Sequence, residues 1–216
     1  MKTPVVVAVV VAAVALGTTT GVALLPARDS GRASDPGASS ARFDAGRLLT
    51  VDDLAAAGLP GRATVSRGAG EGGLGSSDCE PGAVLSDTAP LGSAFIHGVW
   101  KVGSQTRVRE VASQVEDAKQ SVRLARRVLV QSESCQDEPW SHWRYADARH
   151  VDVADGVTAD WMSLHNGTDS GSGIGPACGG VAVVRNRARF GVVFVDWCAR
   201  PAQVKQIATV AAKRLG

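Results

Sequence analysis

Several motifs that would indicate catalysis, metal binding or nucleic-acid binding are missing from this chain of 216 residues. It has four cysteines but no C-x-x-C or H-x-x-x-H pair, so the close ligand spacing of a structural zinc site is absent. No G-x-S-x-G nucleophile elbow is present. The formal net charge is only +2, which does not indicate a nucleic-acid-binding surface. We therefore predict no metal, no cofactor and no nucleic-acid partner.

An uncharged apolar stretch from Pro4 to Ala27 lies close behind the N-terminus. A run of about 20 apolar residues after a short basic start is typical of a secretory signal, and it is also long enough to span a bilayer. No cysteine follows the run to accept a lipid, which disfavours a lipoprotein. We expect residues 1–27 to be a signal peptide or a single membrane anchor formed by residues 4–27. In both cases the rest of the chain lies outside the cytoplasm, secreted or anchored.

Residues 28–45 differ in composition, being rich in serine, glycine, alanine and aspartate. Such a segment buries too little apolar surface to offset the entropy cost of ordering, so we predict a disordered linker. The remaining residues, 46–216, have the length of one ordinary domain. Arginine far outnumbers lysine, which suggests a GC-rich bacterial genome.

Turn signals and hydrophobic periodicity divide the domain into strands and helices. Thr50 and Asp53 have the spacing of a capping box at the start of a short helix, which ends near Gly58. The stretch from Gly68 to Gly75 is predicted to be a loop. The predicted strands are Ala94–Val102, Thr106–Val115, His142–Ala148, His150–Ala154, Thr158–His165, Gly180–Arg185 and Arg189–Trp197.

Two longer helices are predicted from apolar residues at helical spacing. One begins at Glu116 and ends before Cys135, and the other begins at Pro201, which suits a first helical position. Their predicted apolar faces consist of Ala118, Val122, Ala125 and Leu129 in the first helix, and of Val204, Ile207, Ala208, Ala211 and Leu215 in the second. Antiparallel strands with a few packed helices define an α+β fold.

The four cysteines are predicted to form two disulfides, because thiols oxidise outside the cytoplasm. If the C-terminal hairpin is centred near Ala188, Cys178 and Cys198 lie at equal distances from the turn and face each other. By elimination, Cys79 then pairs with Cys135.

A candidate ligand-binding face follows from strand alternation. Trp161, Ser163 and His165 fall on one face of their predicted strand, and this combination is more polar than an ordinary core. Trp143 lies on a neighbouring predicted strand, and a long glycine-rich loop, Gly167–Gly175, follows the face. Aromatic and hydrogen-bonding side chains beside such a loop suit the wall of a ligand cleft. The alternative is that the tryptophans fill the core.

The predicted tip of the C-terminal hairpin carries Arg185, Arg187 and Arg189. A solvated tip is the ordinary explanation, but this cluster also suits contact with an anionic polymer of the cell envelope. The predicted binding partner is therefore an unidentified small molecule or an envelope polymer.

The chain resembles a known family, the PknH-like extracellular sensor domains of actinobacterial secreted and membrane-anchored proteins. The shared features are a helix ending in Ser134-Cys135-Gln136, the segment Trp143-x-Tyr145, the turn Asp155-Gly156, and Cys178-Gly179-Gly180 before a valine-rich hairpin. The resemblance spans about Leu48 to Gly216 and implies an α+β domain with two disulfides and a surface cleft for a ligand. One departure is that no kinase domain precedes this segment.

These observations predict a non-enzymatic, extracytoplasmic ligand-binding or sensor-like domain of the bacterial envelope. Two alternatives remain open. One is a secreted hydrolase that uses a histidine, and the other is a structural or interaction module. A pocket with a titratable group beside a nucleophile would favour the enzyme, and an aromatic cleft without one would favour binding.

Overall fold

The computed structural model describes residues 43–70, 94–133, 143–167 and 174–216. The predicted signal or anchor, most of the linker, and both Cys79 and Cys135 lie outside the described residues. In the ranges described, no helix has the length and apolar character that crossing a bilayer requires.

The described residues form strands and helices in the order that an α+β domain requires. The strands are β1 (Thr64–Ala69), β2 (Ala94–Val102), β3 (Gln105–Gln114), β4 (Trp143–Tyr145), β5 (Arg149–Ala154), β6 (Val157–Gly167), β7 (Ile174–Asn186) and β8 (Arg189–Val195). The helices are a single 3-10 turn (Ala45–Arg47), α1 (Val51–Ala56), α2 (Ala118–Glu133) and α3 (Pro201–Arg214).

All of these strands belong to one antiparallel sheet. The order is β1-β2-β3-β8-β7-β6, and both β4 and β5 pair with the outer edge of β6. Sheet and helices together confirm the predicted α+β class.

Helices cover both faces of the sheet. The 3-10 turn, α1 and α3 pack on one face, and α2 packs on the other. Strand β7 shows the division, because Ala182 and Val184 belong to the first core while Val181 and Val183 belong to the second. Both faces of a central strand are therefore apolar, which explains its nearly continuous valine run.

The capping box at α1 is confirmed. The Thr50 hydroxyl accepts a hydrogen bond from the Asp53 N–H at 3.2 Å, and the Asp53 carboxylate accepts one from the Thr50 N–H at 2.7 Å. Arg214 of α3 also contacts this carboxylate and so joins the two helices. Burial alone would raise the pKa of Asp53, but the hydrogen bonds from Thr50 and Arg214 hold it below its usual value.

The predicted apolar face of α2 is only partly right. Val122 is 47% exposed, whereas Leu124, Ala125 and Val128 are buried against the sheet. Ser121 is buried as well, because its hydroxyl donates to the carbonyls of residues 118 and 187. A polar residue that is satisfied by backbone acceptors can occupy the packed face, and this rotates the helix away from the purely apolar stripe. In α3, by contrast, all five predicted core residues are buried.

A carboxyl group is buried in the first core. Glu110 of β3 is fully buried, and its Oε2 accepts a hydrogen bond from the Leu49 N–H at 2.8 Å. Arg67 of β1 donates to the Leu49 carbonyl at 2.7 Å, so two strands hold the segment before α1 against the sheet. The second oxygen of Glu110 has no hydrogen-bond partner among the residues that the structure describes. Burial raises the pKa of Glu110 to about 8.

The Cys178–Cys198 disulfide is present as predicted. The predicted register of the hairpin is wrong by one residue, because Asn186 pairs with Arg189 and the turn is centred between residues 187 and 188 rather than on Ala188. The ladder ends at the pair formed by Gly180 and Val195. Gly179 then adopts a left-handed φ of +88°, and this irregular residue allows the two cysteines to meet.

Strand β1 was not predicted, and its residues Gly68 and Ala69 occupy the start of the predicted glycine-rich loop. Most side chains of β1 are exposed, because the strand lies at the edge of the sheet. An edge strand without a buried face has no alternating apolar pattern from which it could be recognised.

Candidate functional site

The predicted ligand-binding face begins with two buried residues. Trp161 and Ser163 are each 4% exposed, and Trp161 belongs to the core that α3 covers. The guanidinium of Arg149 lies 5.4 Å from the centre of the Trp161 ring. A ligand would reach these side chains only after this packing was displaced. Their role as a ligand wall stays a prediction.

The other two predicted residues are His165, near the C-terminal end of β6, and Trp143, on the neighbouring strand β4. The His165 ring nitrogen Nδ1 donates to the Gly175 carbonyl at 2.8 Å, across a stretch where the β6–β7 pairing is irregular. Trp143 pairs with Asn166 through β4. The predicted loop Gly167–Gly175 is shorter than expected, because β6 includes Gly167 and β7 starts at Ile174.

A surface cavity of about 570 Å³ lies at the opposite end of the sheet. We call it the end cavity, and it is lined by Gln114, Asp155, Val157, Asn186, Arg187, Ala188, Arg189 and Gly216. Its volume is within the range of small-molecule sites.

The strand register assembles the floor of the end cavity. Gln114 pairs with Arg189, Arg189 with Asn186, and Asn186 with Val157, so four strands contribute one residue each to a single cross-strand row. Paired residues point to the same face of a sheet. Residues that are far apart in the sequence therefore converge on one surface.

Backbone hydrogen bonds hold the hairpin tip that forms the rim. The Arg187 N–H donates to the Gly156 carbonyl at 3.1 Å, which ties the β7–β8 turn to the β5–β6 turn. The Val115 N–H donates to the Ala188 carbonyl at 2.8 Å, and the Ser121 hydroxyl of α2 donates to the Arg187 carbonyl at 2.7 Å. The rim is thus fixed from three sides.

Arginine dominates the charge of the end cavity. Arg189 donates from Nη1 to the carbonyls of Leu215 and Gly216 at 2.6 Å each, and Arg47 reaches the same two carbonyls. Burial lowers the pKa of Arg189, and the nearby positive charges of Arg47 and Arg187 lower it further. Three guanidinium groups are therefore close enough to repel one another.

Arg187 has an unusual backbone conformation. It is the first residue of the two-residue β7–β8 turn, and its φ of 54° makes it a non-glycine residue in the left-handed region. Glycine, asparagine or aspartate is preferred at such turn positions. A left-handed backbone costs a residue with a Cβ about 1–2 kcal/mol. Position 187 of the turn is therefore occupied by an arginine, although a glycine there would be less strained.

The three arginines of the predicted tip do not act together. Arg187 and Arg189 line the end cavity. Arg185 pairs with Phe190, which belongs to the core on the α2 side, so alternation directs Arg185 to the opposite face from Asn186.

The histidine with the strongest electrostatic contacts is His150 on β5. Its Nδ1 lies 2.7 Å from Asp160 Oδ1, and its Nε2 lies 3.1 Å from Asp152 Oδ1. Hydrogen bonds to Asp160 and then to Asp152 raise the pKa of His150. A general base needs a free ring nitrogen that accepts a proton, whereas this arrangement favours the doubly protonated ring. The ring nitrogen Nδ1 of His97 on β2 lies 3.0 Å from the Gly70 carbonyl oxygen.

Among the residues described, no group of three or more histidine, cysteine, aspartate or glutamate side chains is arranged to hold a metal ion. The sequence interpretation identified two arginines of the end cavity but missed Gln114 and Asn186. The signal that could have found them is strand register: the β7–β8 hairpin register places Asn186 beside Arg189, and the separate β3–β8 register places Gln114 there. Each register must be known to the residue, because a shift by one residue turns the side chain to the other face.

Comparisons with known proteins provide a weak similarity of fold. No family model matches the chain, and no curated protein matches it. Among solved structures, the chain is similar to the extracellular domain of PknH from Mycobacterium tuberculosis, with 11% sequence identity and a TM-score of 0.43. The match covers 78% of this chain and 92% of that chain. A resemblance at this level describes overall architecture and carries no functional argument.

Proposed function

We propose that this chain is a non-enzymatic ligand-binding domain of the bacterial envelope, sensor-like in kind, which works outside the cytoplasm and binds its ligand at the end cavity. The sequence motifs around Trp143, Asp155 and Cys178 support its assignment to the PknH-like sensor domains. The end cavity is the observation that carries the binding role, because four strands and two turns build it and backbone hydrogen bonds hold its rim.

The Cys178–Cys198 disulfide supports the location. Disulfides persist in oxidising compartments and are rare where cellular thiols keep cysteines reduced. The apolar N-terminal stretch agrees with export but does not decide between a cleaved signal and an anchor. Intact mass of the protein from membrane and secreted fractions would distinguish them, because only an anchored chain would retain Met1.

The lining of the end cavity supports binding rather than catalysis. Its described lining residues offer guanidinium, amide and carboxylate groups, and none of them is a serine, threonine, cysteine or histidine. Asp155 is the one carboxylate in the lining, and no paired acid or base accompanies it. A nucleophile with an adjacent base, which a hydrolase of the predicted kind requires, is not part of this lining.

A ligand screen with a blocked variant tests the proposal. The full chain would be screened by thermal shift against envelope extracts and small metabolites, in parallel with Ala188→Trp, which places an indole in the cavity. We expect ligands that raise the melting temperature of the wild type and not that of the variant. Ligands that stabilise both proteins equally would contradict binding at the end cavity. Chemical turnover of a bound ligand would favour the hydrolase instead.

A further inference from the structure

We propose that the end cavity recognises a phosphate group, either free or as part of a phosphodiester polymer. This inference rests on the proposed binding function and names the ligand chemistry of the same cavity. It follows from the convergence of guanidinium and amide donors on one pocket, together with the conformation of Arg187.

The donors exceed what the protein itself satisfies. Arg187 has no hydrogen bond from its guanidinium to any described residue, and Arg189 uses only Nη1. The amide groups of Gln114 and Asn186 lie in the same cross-strand row. A phosphate presents three or four acceptor oxygens and up to two negative charges, so it satisfies more of these donors than a carboxylate does.

The repulsion among the arginines also favours an anion. Arg47 and Arg187 both lower the pKa of Arg189, which means that the three positive charges act on one another. A bound anion would relieve that repulsion, whereas a cation would increase it.

Groups that oppose anion binding also line the end cavity. Asp155 lines the same cavity and carries a negative charge. The carbonyls of Leu215 and Gly216 accept hydrogen bonds from Arg47 and Arg189 and occupy part of their donor capacity. Arg187, whose guanidinium no described residue engages, is therefore the residue on which anion binding depends most.

The conformation of Arg187 provides an independent argument. Its left-handed φ of 54° is costly for an arginine and would be relieved by glycine. Backbone strain of this kind is concentrated at binding sites, because the strained conformation holds a side chain in the position that ligand binding requires. The strained residue at the tip is also the one whose charged group is free to contact a ligand.

Calorimetric titration of the full chain tests the inference. The probes are inorganic phosphate, tripolyphosphate and poly(glycerol phosphate), with sodium chloride at matched ionic strength as the reference. We expect binding that weakens as salt increases. We also expect Arg187→Gln to lose about tenfold or more in affinity, because one charge-assisted hydrogen bond is removed. Arg126→Gln, the same substitution at an exposed residue of α2, should bind like the wild type.

The outcomes separate the possible ligands and the two proposals. Binding of inorganic phosphate alone would identify a free phosphate ligand, and preference for the polymer would identify a phosphodiester chain. Equal affinity in Arg187→Gln and the wild type, or equal losses in both arginine variants, would overturn the phosphate inference. If a neutral ligand from the screen is blocked by Ala188→Trp but not by Arg187→Gln, the binding function stands and the phosphate inference fails.

Discussion

Replacement of Glu110 by glutamine should stabilise the folded domain, and the gain should increase with pH. The carboxyl group is fully buried, and burial raises its pKa to about 8 from its ordinary value of 4.5. Between these two values the folded protein holds a proton that the unfolded chain has released. The free energy of unfolding therefore has its full value below about pH 4.5, where Glu110 is protonated in both states. It decreases progressively as the pH rises toward 8.

The magnitude follows from the two pKa values. Each pH unit above 4.5 costs the wild type about 1.4 kcal/mol, so the penalty is about 3 kcal/mol at pH 7 and about 1 kcal/mol at pH 5. Glutamine keeps an oxygen that can accept the Leu49 N–H and does not titrate. Its buried NH₂ group lacks a partner, but so does the protonated second oxygen of Glu110. The glutamine NH₂ therefore leaves one more unsatisfied donor than the protonated carboxyl does. That difference is the same at every pH, so the change in the stability gain between pH 5 and pH 7 comes from the titration of Glu110 alone.

Urea unfolding at several pH values between 5 and 7 would measure this effect. Fluorescence of the buried Trp100 and Trp161 reports the transition. The stability gained by Glu110→Gln should be larger at pH 7 than at pH 5 by about 2–3 kcal/mol. The control is Glu116→Gln, the same change at an exposed glutamate, for which we expect a much smaller pH dependence. A gain that is constant across this range would refute the reasoning about burial of the carboxyl group.

Four further predictions use the same unfolding assay. Replacing Cys178 and Cys198 together by serine should cost about 3 kcal/mol, because the disulfide closes a loop with a sequence separation of 20 residues; a negligible loss would contradict this. Thr50→Ala should cost about 1 kcal/mol through loss of the cap, and Thr50→Ser should restore most of it. Trp161→Ala should cost about 3–5 kcal/mol, whereas a small loss would show that the side chain is not part of the core. Arg187→Gly should stabilise the domain by up to about 1 kcal/mol, and any destabilisation would argue against backbone strain at the turn.

The elements that could be predicted from sequence are those with strong local signals. Strand β2 has the predicted bounds, and β3 is displaced by one residue at each end. The apolar face of α3 was also predicted, because one stripe contains nearly all of its large apolar residues. In α2 two stripes compete, and the buried one includes Ser121, whose hydroxyl donates to the distant Arg187 carbonyl as well as to a carbonyl in its own helix. Tertiary contacts therefore determine which stripe of α2 is buried, and local periodicity does not.

The candidate site was harder to predict because it depends on register. Arg187 and Arg189 were recognised as a cluster, but Gln114 lies on a strand more than seventy residues earlier. A shift of the pairing by one residue would direct Gln114 away from Arg189. The aromatic face at Trp161 shows the converse difficulty. A Trp–Ser–His alternation does not reveal which helix covers that face of the sheet.

The two glycines that follow Cys178 have a consequence for finding distant homologues. A Cβ at Gly179 would lie 2.1 Å from the Val195 carbonyl oxygen, and one at Gly180 would lie 2.2 Å from that of Met162. Both obstacles are backbone atoms, so neither position can accept a side chain without a change in the hairpin. Selection should preserve a Cys-Gly-Gly triplet, followed by a second cysteine twenty positions after the first, even where the rest of the sequence has diverged. A search pattern built on that interval would recover relatives that pairwise identity does not detect.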